Sequence, residues 1–218
     1  MAKSICIVQT NRGACDAFAE LAEQVMPGVK AFQVVDDSLL GDINAAGGLA
    51  PATLRRLYAC YQMAQDMGAD AIFHTCVVAA DAVDLIAPFV DIPVVRIDEH
   101  IARAAVEAGE KVAVLATAPT ALGPSAGFVE RLGAAAGKSM SVERVHLGDA
   151  VAAMGRGDKE GYDRLVREAI LEAAGANDAV ILAQPSMAAL LPLAEGADVP
   201  VLAPGRSGFE LLRARLGL

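Results

Sequence analysis

Aromatic residues are scarce in this sequence, at 4% of its 218 positions, with six Phe, three Tyr and no Trp. Hydrophobic residues still make up 55% of the chain, so its interior has to be filled by Ala, Val, Leu and Ile. Clusters of Lys and Arg are missing, and 18 basic residues face 27 acidic ones for a formal net charge of -9. This balance argues against nucleic acid and anionic membranes as partners, because both require a concentrated positive patch. Apolar runs are interrupted by Asp, Glu or Gly before they reach bilayer length. The run Ser4-Ile5-Cys6-Ile7-Val8 is too short for a signal h-region, and a soluble, cytoplasmic protein is expected. Cys6, Cys15, Cys60 and Cys76 show no CxxC spacing, and His74, His100 and His146 show no HxxxH or HxH pattern. The spacing therefore supports four free thiols and no metal site. Neither a Walker loop nor GxGxxG is present, and Gly123-Pro124-Ser125-Ala126-Gly127 lacks the context of a serine elbow.

What is present is a series of short β-branched runs, at residues 4–9, 30–35, 71–74, 94–97, 111–116, 141–147, 179–183 and 199–203. Helical patterns separate most of them. One covers residues 51–67, with Leu54, Leu57, Tyr58 and Tyr61 on one face, and another covers 161–174, with Tyr162, Leu165, Val166 and Ala169. Strand–helix–strand succession implies an α/β fold with parallel sheets covered on both faces. A repeat gives the domain organisation. Asp70-Ala71-Ile72-Phe73 opens a segment that closes on Asp91-Ile92-Pro93-Val94-Val95, and Asp178-Ala179-Val180-Ile181 opens one that closes on Asp198-Val199-Pro200-Val201-Leu202. We therefore expect two pseudo-symmetric halves of about four strands each, with a ligand cleft between them at the carboxyl ends of equivalent strands. Residues 36–50 lack periodicity and contain Gly41, Gly47 and Gly48; a binding flap and a surface loop with a short helical turn fit this segment equally well.

Equivalent strand ends carry His74-Thr75-Cys76-Val77-Val78 and Leu182-Ala183-Gln184-Pro185-Ser186-Met187. A cysteine at a strand-to-helix junction faces the crevice and nearby N–H groups, which favour the thiolate. Cys76 is thus the best nucleophile or base in the chain, weighed against the common role of free cysteine as a small buried hydrophobe. Cys6 and Cys60 read as core residues, and Cys15 is ambiguous. Thr10-Asn11-Arg12-Gly13 and Thr117-Ala118-Pro119-Thr120 occupy matched positions, either as helix caps or as cradles for a carboxylate. His74 lies two residues from Cys76 and either lowers the thiol pKa or forms a hydrogen-bonded wall. Arg96-Ile97-Asp98-Glu99-His100 reads as a structural ion-pair segment.

At these residues the chain resembles the aspartate/glutamate racemase superfamily, which includes hydantoin racemases, maleate isomerases and arylmalonate decarboxylases. The resemblance spans essentially the whole length and rests on Thr75-Cys76, on Val114-Leu115-Ala116-Thr117 with Thr120, and on Leu182 to Met187. It implies a cofactor-independent enzyme with its site between two halves, residues 1–97 with a returning helix at 204–218 and residues 98–203, often as a homodimer. In the racemases both strand ends carry a cysteine, one thiolate removing the α-proton and the other thiol returning one. Cys76 matches the first, but Gln184 fills the second place, and an amide has no proton to exchange. Val77-Val78 also stand where many relatives carry Asn-Thr or small hydroxyl residues, leaving their backbone N–H groups to bind an anion.

The resemblance implies proton transfer next to the carboxylate or carbonyl of a small acid of the amino acid, hydantoin or dicarboxylate class. Cys76 would be base or nucleophile, Asn11, Thr75, Val77, Val78, Thr117, Thr120 and Ser186 would hold the substrate, and Gln184 would donate to the enediolate. A one-cysteine decarboxylase of a malonate-like acid and a non-catalytic small-acid binder are the competing readings.

Overall fold

The computed structural model describes residues 3–218. In chain order its strands are β1 (Ser4–Gln9), β2 (Lys30–Val35), β3 (Ala71–His74), β4 (Val94–Arg96), β5 (Lys111–Ala116), β6 (Ser141–His146), β7 (Ala179–Leu182) and β8 (Val201–Leu202). Its α-helices are α1 (Cys15–Val25), α2 (Leu39–Ala46), α3 (Pro51–Asp66), α4 (Asp81–Ile86), α5 (Glu99–Ala108), α6 (Leu122–Ala135), α7 (Gly148–Gly155), α8 (Lys159–Ala176) and α9 (Arg206–Arg215). The residues up to Glu99 with Gly205–Leu218 form one compact unit, and His100–Pro204 form a second.

Each unit holds one four-stranded parallel sheet, ordered β2-β1-β3-β4 in the first and β6-β5-β7-β8 in the second. The α/β class with two parallel-sheet halves is therefore as the sequence implies. The central strands read as unbroken apolar runs because helices cover both of their faces, and every residue of β3 and β7 is buried. Edge strands β2 and β6 instead keep exposed positions. The repeat extends to hydrogen bonds: Asp70 accepts from the Ser4 N–H at 2.7 Å, and Asp178 accepts from Lys111 and Glu110 N–H at 2.9 Å each. The Pro93 and Pro200 carbonyls likewise receive the N–H of Ile72 and Val180, at 2.8 and 2.9 Å.

In the first unit α9 packs on α1, β3 and β4. Its Phe209, fully buried, lies 4.3 Å from Phe73 and 6.2 Å from Phe18 by ring centroids, so half of the six Phe residues serve this one contact. Burial of such a ring contributes about 1.5–3 kcal/mol. Gly208 lets the helix come this close, since a Cβ there would sit 2.8 Å from the Phe73 ring and 3.0 Å from the Ile97 carbonyl oxygen. The unit reaches past β4 because Asp98 is bonded to Arg96, and Glu99 is paired with Arg215 of α9.

Residues 36–50 are not a flap. They contain α2, whose Leu39 and Ile43 lie one helical turn apart and are both buried in the core with Leu57 and Tyr61 of α3. Arg56 of α3 ties the segment down through Asp36, Asp42 and Ser38, with a 2.9 Å bond from its Nε to Asp36. Leu39, Leu40 and Ile43 cover less than two turns before Gly47 and Gly48, too short a run to show a helical period.

Candidate active site

The register fixes which residues correspond between the sheets. Ile5 pairs with Ala71 as Val112 pairs with Ala179, so counting along the strands matches Thr10 with Thr117 and Cys76 with Gln184. In the first unit Cys76 caps the 3-10 turn Val77–Ala79 in an extended conformation, φ -95° and ψ 104°. It is 8% exposed and belongs to the hydrophobic cluster that includes Leu39, Leu57, Tyr61 and Val83. Desolvation raises its thiol pKa, while hydrogen bonds from the Thr10 hydroxyl and the Ala79 and Val78 N–H groups work in the other direction. This corrects the expectation of an exposed, thiolate-favouring cysteine: the donors are present, but burial outweighs them.

His74 is fully buried, and desolvation pushes its pKa down to about 4, so the ring is neutral at pH 7. Its Nε2 lies 3.0 Å from the Cys76 carbonyl oxygen and its Nδ1 lies 2.9 Å from the Tyr61 hydroxyl. A carbonyl can only accept, so Nε2 carries the proton and Nδ1 accepts from Tyr61. His74 therefore brings no positive charge to the thiol; of the two roles open to it in the sequence, the structure has the hydrogen-bonded wall. Next to it at the end of β4, Arg96 is 2% exposed and grips Asp98 at 2.7 and 2.9 Å, with Asp84 at 3.3 Å and Asp81 at 3.6 Å.

The matching strand end of the second unit is built around an amide. Gln184 Oε1 accepts three hydrogen bonds, from Thr117 N–H at 2.8 Å, Thr117 Oγ1 at 2.9 Å and Ala118 N–H at 3.0 Å. The oxygen's identity follows from this arrangement, because an NH2 group could not receive three donors. Gln184 Nε2 is left as a donor, held in place by the anchoring of its own oxygen. Thr117 is thus not an open anion cradle, which corrects the sequence reading. The donors are where they were expected, and a neutral oxygen of the same chain occupies them.

The remaining candidates scatter in environment. Thr75 is buried and donates its hydroxyl proton to the Val8 carbonyl at 3.1 Å, a bond internal to the sheet rather than one to a substrate. Asn11 Oδ1 accepts from the Gly13 N–H at 2.9 Å and so caps the turn Arg12–Ala14, the cap outcome of the two considered. Val77 is buried and Val78 half-buried, and the Val78 N–H is directed to the Cys76 sulfur. Thr120 and Ser186 are exposed. Cys6 and Cys60 are core residues as expected; burial pushes the Cys6 thiol up to about 12 and raises that of Cys60. Half-buried Cys15 lies 3.9 Å from the Asn11 carbonyl oxygen. Among the described residues, no three His, Cys, Asp or Glu side chains gather as a metal site requires.

Sequence reasoning passed over Gln9 and Tyr61. Gln9 ends β1, is 1% exposed and donates through Nε2 to Gln33, which in turn donates to the Cys15 carbonyl at 2.8 Å. This chain leaves Gln9 Oε1 buried without a donor. An open depression of about 490 Å³ lined by Arg12, Cys15, Val35 and Asp37 lies at the same end of the sheet. The available signal was a glutamine closing an otherwise apolar strand. For Tyr61, it was a tyrosine on an apolar helix face, where a buried hydroxyl needs a partner.

Two four-stranded parallel sheets of the same strand order, with Cys76 and Gln184 at matching strand ends, make this a duplicated α/β protein. A sequence model of the Asp/Glu/Hydantoin racemase family matches residues 6–212, and the chain belongs to that family. Among solved structures it is similar to a putative Asp/Glu racemase from Yersinia pestis, with a TM-score of 0.74, 17% identity and 95% of each chain covered. It is also similar to glutamate racemase isoform RacE1 from Bacillus anthracis, with a TM-score of 0.68 and 16% identity over 99% of this chain and 82% of the other. Allantoin racemase from Klebsiella pneumoniae gives a TM-score of 0.63 and 17% identity over 100% of this chain and 89% of the other. Identities this low establish the shared fold alone. No curated protein sequence matches the chain. No helix among the described residues is long and apolar enough to cross a membrane.

Proposed function

We propose that this protein is a cofactor-independent, racemase-type isomerase that moves a proton at the carbon next to the carboxylate or carbonyl of a small acid, with Cys76 as the base. The observation that carries this reading is the place of Cys76, at the cap of the turn Val77–Ala79 after β3 and in register with Gln184 after β7. A thiolate formed there during turnover meets the Thr10 side chain and the Val78 and Ala79 backbone, all of which favour the charged form. Burial keeps the resting group protonated and makes the thiolate, once formed, a stronger base toward a carbon acid. The reaction runs from the minor thiolate form, after the thiol has lost its proton to solvent: the α-proton passes to sulfur, its electron pair delocalises into the carboxylate as an enediolate, and the thiol returns a proton to that carbon to regenerate the thiolate. Gln184 Nε2, anchored through its own oxygen, donates a hydrogen bond to that developing charge.

Asn11, Thr120 and Ser186 supply polar contacts, and the protein works in the cytoplasm as a homodimer. Only one face of the substrate carbon has a titratable group, so the proton leaves and returns on the same side. The chemistry is proton exchange with retention, or isomerisation through the enediolate, rather than two-thiol racemisation. The test is incubation of candidate amino acids, hydantoins and dicarboxylates in deuterated water. Cα–H exchange with at least one, lost in Cys76→Ala, is expected; exchange with none, or exchange unchanged in Cys76→Ala, overturns the reading.

The raised thiol pKa supports a second reading, a one-cysteine decarboxylase of a malonate-like acid. A sulfur that rests protonated can quench the carbanion left by carbon dioxide, and that reaction needs only one proton donor. Carbon dioxide release without prior exchange separates it from the first. A small-acid binder without turnover is the outcome if a candidate acid binds and neither exchange nor carbon dioxide release occurs.

A further inference from the structure

The duplication supplies an internal control for the residues around Cys76. Both sheets end β3 and β7 in the same backbone geometry, with the Thr75 N–H on the Val8 carbonyl at 3.2 Å and the Ala183 N–H on the Leu115 carbonyl at 2.9 Å. At the last residue of the strand, however, the first sheet has His74 and the second has Leu182, each fully buried. A leucine is thus sufficient for this place in the fold. Burying an imidazole and a phenol hydroxyl instead costs free energy that only their mutual hydrogen bond and the bond to the Cys76 carbonyl offset.

Those two bonds have a direction. Tyr61 donates to His74 Nδ1 at 2.9 Å, and His74 Nε2–H donates to the Cys76 carbonyl at 3.0 Å. The same carbonyl also receives the Ala79 N–H at 3.1 Å, closing the turn Val77–Ala79. Fixing this carbonyl fixes the plane of the peptide that follows the cysteine, and with it the start of the turn Val77–Ala79 that Cys76 caps. Nothing comparable is needed at Gln184, whose amide oxygen is held by Thr117 and Ala118 directly.

We propose that Tyr61 and His74 form a positioning relay that holds the Cys76 peptide and, through it, the turn Val77–Ala79 beside the sulfur. Neither residue touches the reacting atoms. Both act through the backbone of Cys76, and His74 stays neutral throughout. Charged and titratable groups facing this region are Asp98 and Arg96 at the end of β4, Asp84 on α4, and Cys60 and Tyr61 on α3, with Asp98 opposing the thiolate. The functional value of the relay rests on the reading of Cys76 as the reacting group, but its geometry is testable without substrate.

The experiment measures the rate of alkylation of Cys76 by iodoacetamide from pH 6 to pH 10 in the full-length protein. Peptide mass spectrometry resolves Cys76 from Cys15, and thermal melts are recorded beside it. His74→Leu installs the residue that the second sheet tolerates. It should slow Cys76 labelling about tenfold below the thiol pKa, the equivalent of about one pKa unit, and move the midpoint upward. Tyr61→Phe should act in the same direction by about threefold, through a less well held ring. His74→Gln retains an N–H donor and should restore most of the rate. Cys15 labelling should stay unchanged in all three. A Cys76 profile in His74→Leu that matches the unaltered protein would overturn the relay, as would parallel acceleration of Cys76 and Cys15 from general loosening. If the labelling result holds while Cys76→Ala leaves Cα–H exchange intact, the catalytic reading fails and the relay stands.

Discussion

The strand ends at Cys76 and Gln184 share one backbone plan and solve different electrostatic problems. At Gln184 a neutral oxygen accepts three hydrogen bonds from Thr117 and Ala118, in a half-buried place where nothing has to change charge. At Cys76 a titratable sulfur, favoured as thiolate by Thr10, Val78 and Ala79 but raised in pKa by burial, sits in the apolar core beside a neutral His74 and a buried Arg96–Asp98 pair. The difference teaches that a donor cradle by itself does not tell whether it serves an anion, a thiolate or a neighbouring amide. What distinguishes the two ends is the polar machinery behind the cysteine, which the amide end lacks.

The largest effect expected from breaking this asymmetry is catalytic. Cys76→Ala should reduce Cα–H exchange by about 10²–10⁴-fold. Gln184→Ala, which removes one oriented donor, should cost about tenfold to a hundredfold in the same deuterium assay. Equal losses would mean that the two ends contribute alike, against the assignment of base and donor.

Next in size is the ion pair behind the cysteine. Arg96→Met leaves Asp98, 1% exposed, without its cation and should cost about 3–5 kcal/mol in denaturant unfolding. The double variant with Asp98→Leu should regain most of that stability, because it removes the buried charge altogether. Ala203 follows β8 as Arg96 follows Val95 in the register of the two sheets, so an uncharged strand end is compatible with the fold.

His74 makes the first unit sensitive to acid. Its folded pKa is depressed to about 4 from 6.5, so between those values the unfolded chain binds a proton that the folded one does not. Stability conferred by the neutral ring is therefore present above pH 6.5 and is lost as pH falls toward 4, by up to about 3 kcal/mol. In His74→Leu, unfolding free energies measured across this window should vary less with pH by that amount. An unchanged slope would place the acid sensitivity elsewhere.

The smallest effect sharpens the comparison. Gln184→Cys puts a thiol among the Thr117 and Ala118 donors without the deep burial of Cys76. It should alkylate about tenfold faster than Cys76 near pH 7, as expected for a pKa about one unit lower. It should also add a second proton carrier, so that inversion accompanies the exchange proposed for the unaltered protein. Slower labelling than Cys76 would mean that the donors, rather than burial, set the difference.

Much of this was legible in the residues. Apolar runs such as Val112-Ala113-Val114-Leu115 and the paired Asp-X-Pro-Val segments specify a duplicated parallel α/β chain, because strands covered on both faces cannot alternate. The correspondence of Cys76 with Gln184 follows from the same repeat. Tertiary structure alone decided the states of these groups. Whether a thiol is raised by desolvation or lowered by donors depends on neighbours such as Leu39, Leu57 and Thr10, which are distant in sequence. The use of Thr117 by Gln184, and of the Cys76 carbonyl by His74 and Tyr61, likewise depends on which acceptor the folded backbone brings within about 3 Å, a distance that residue spacing does not encode.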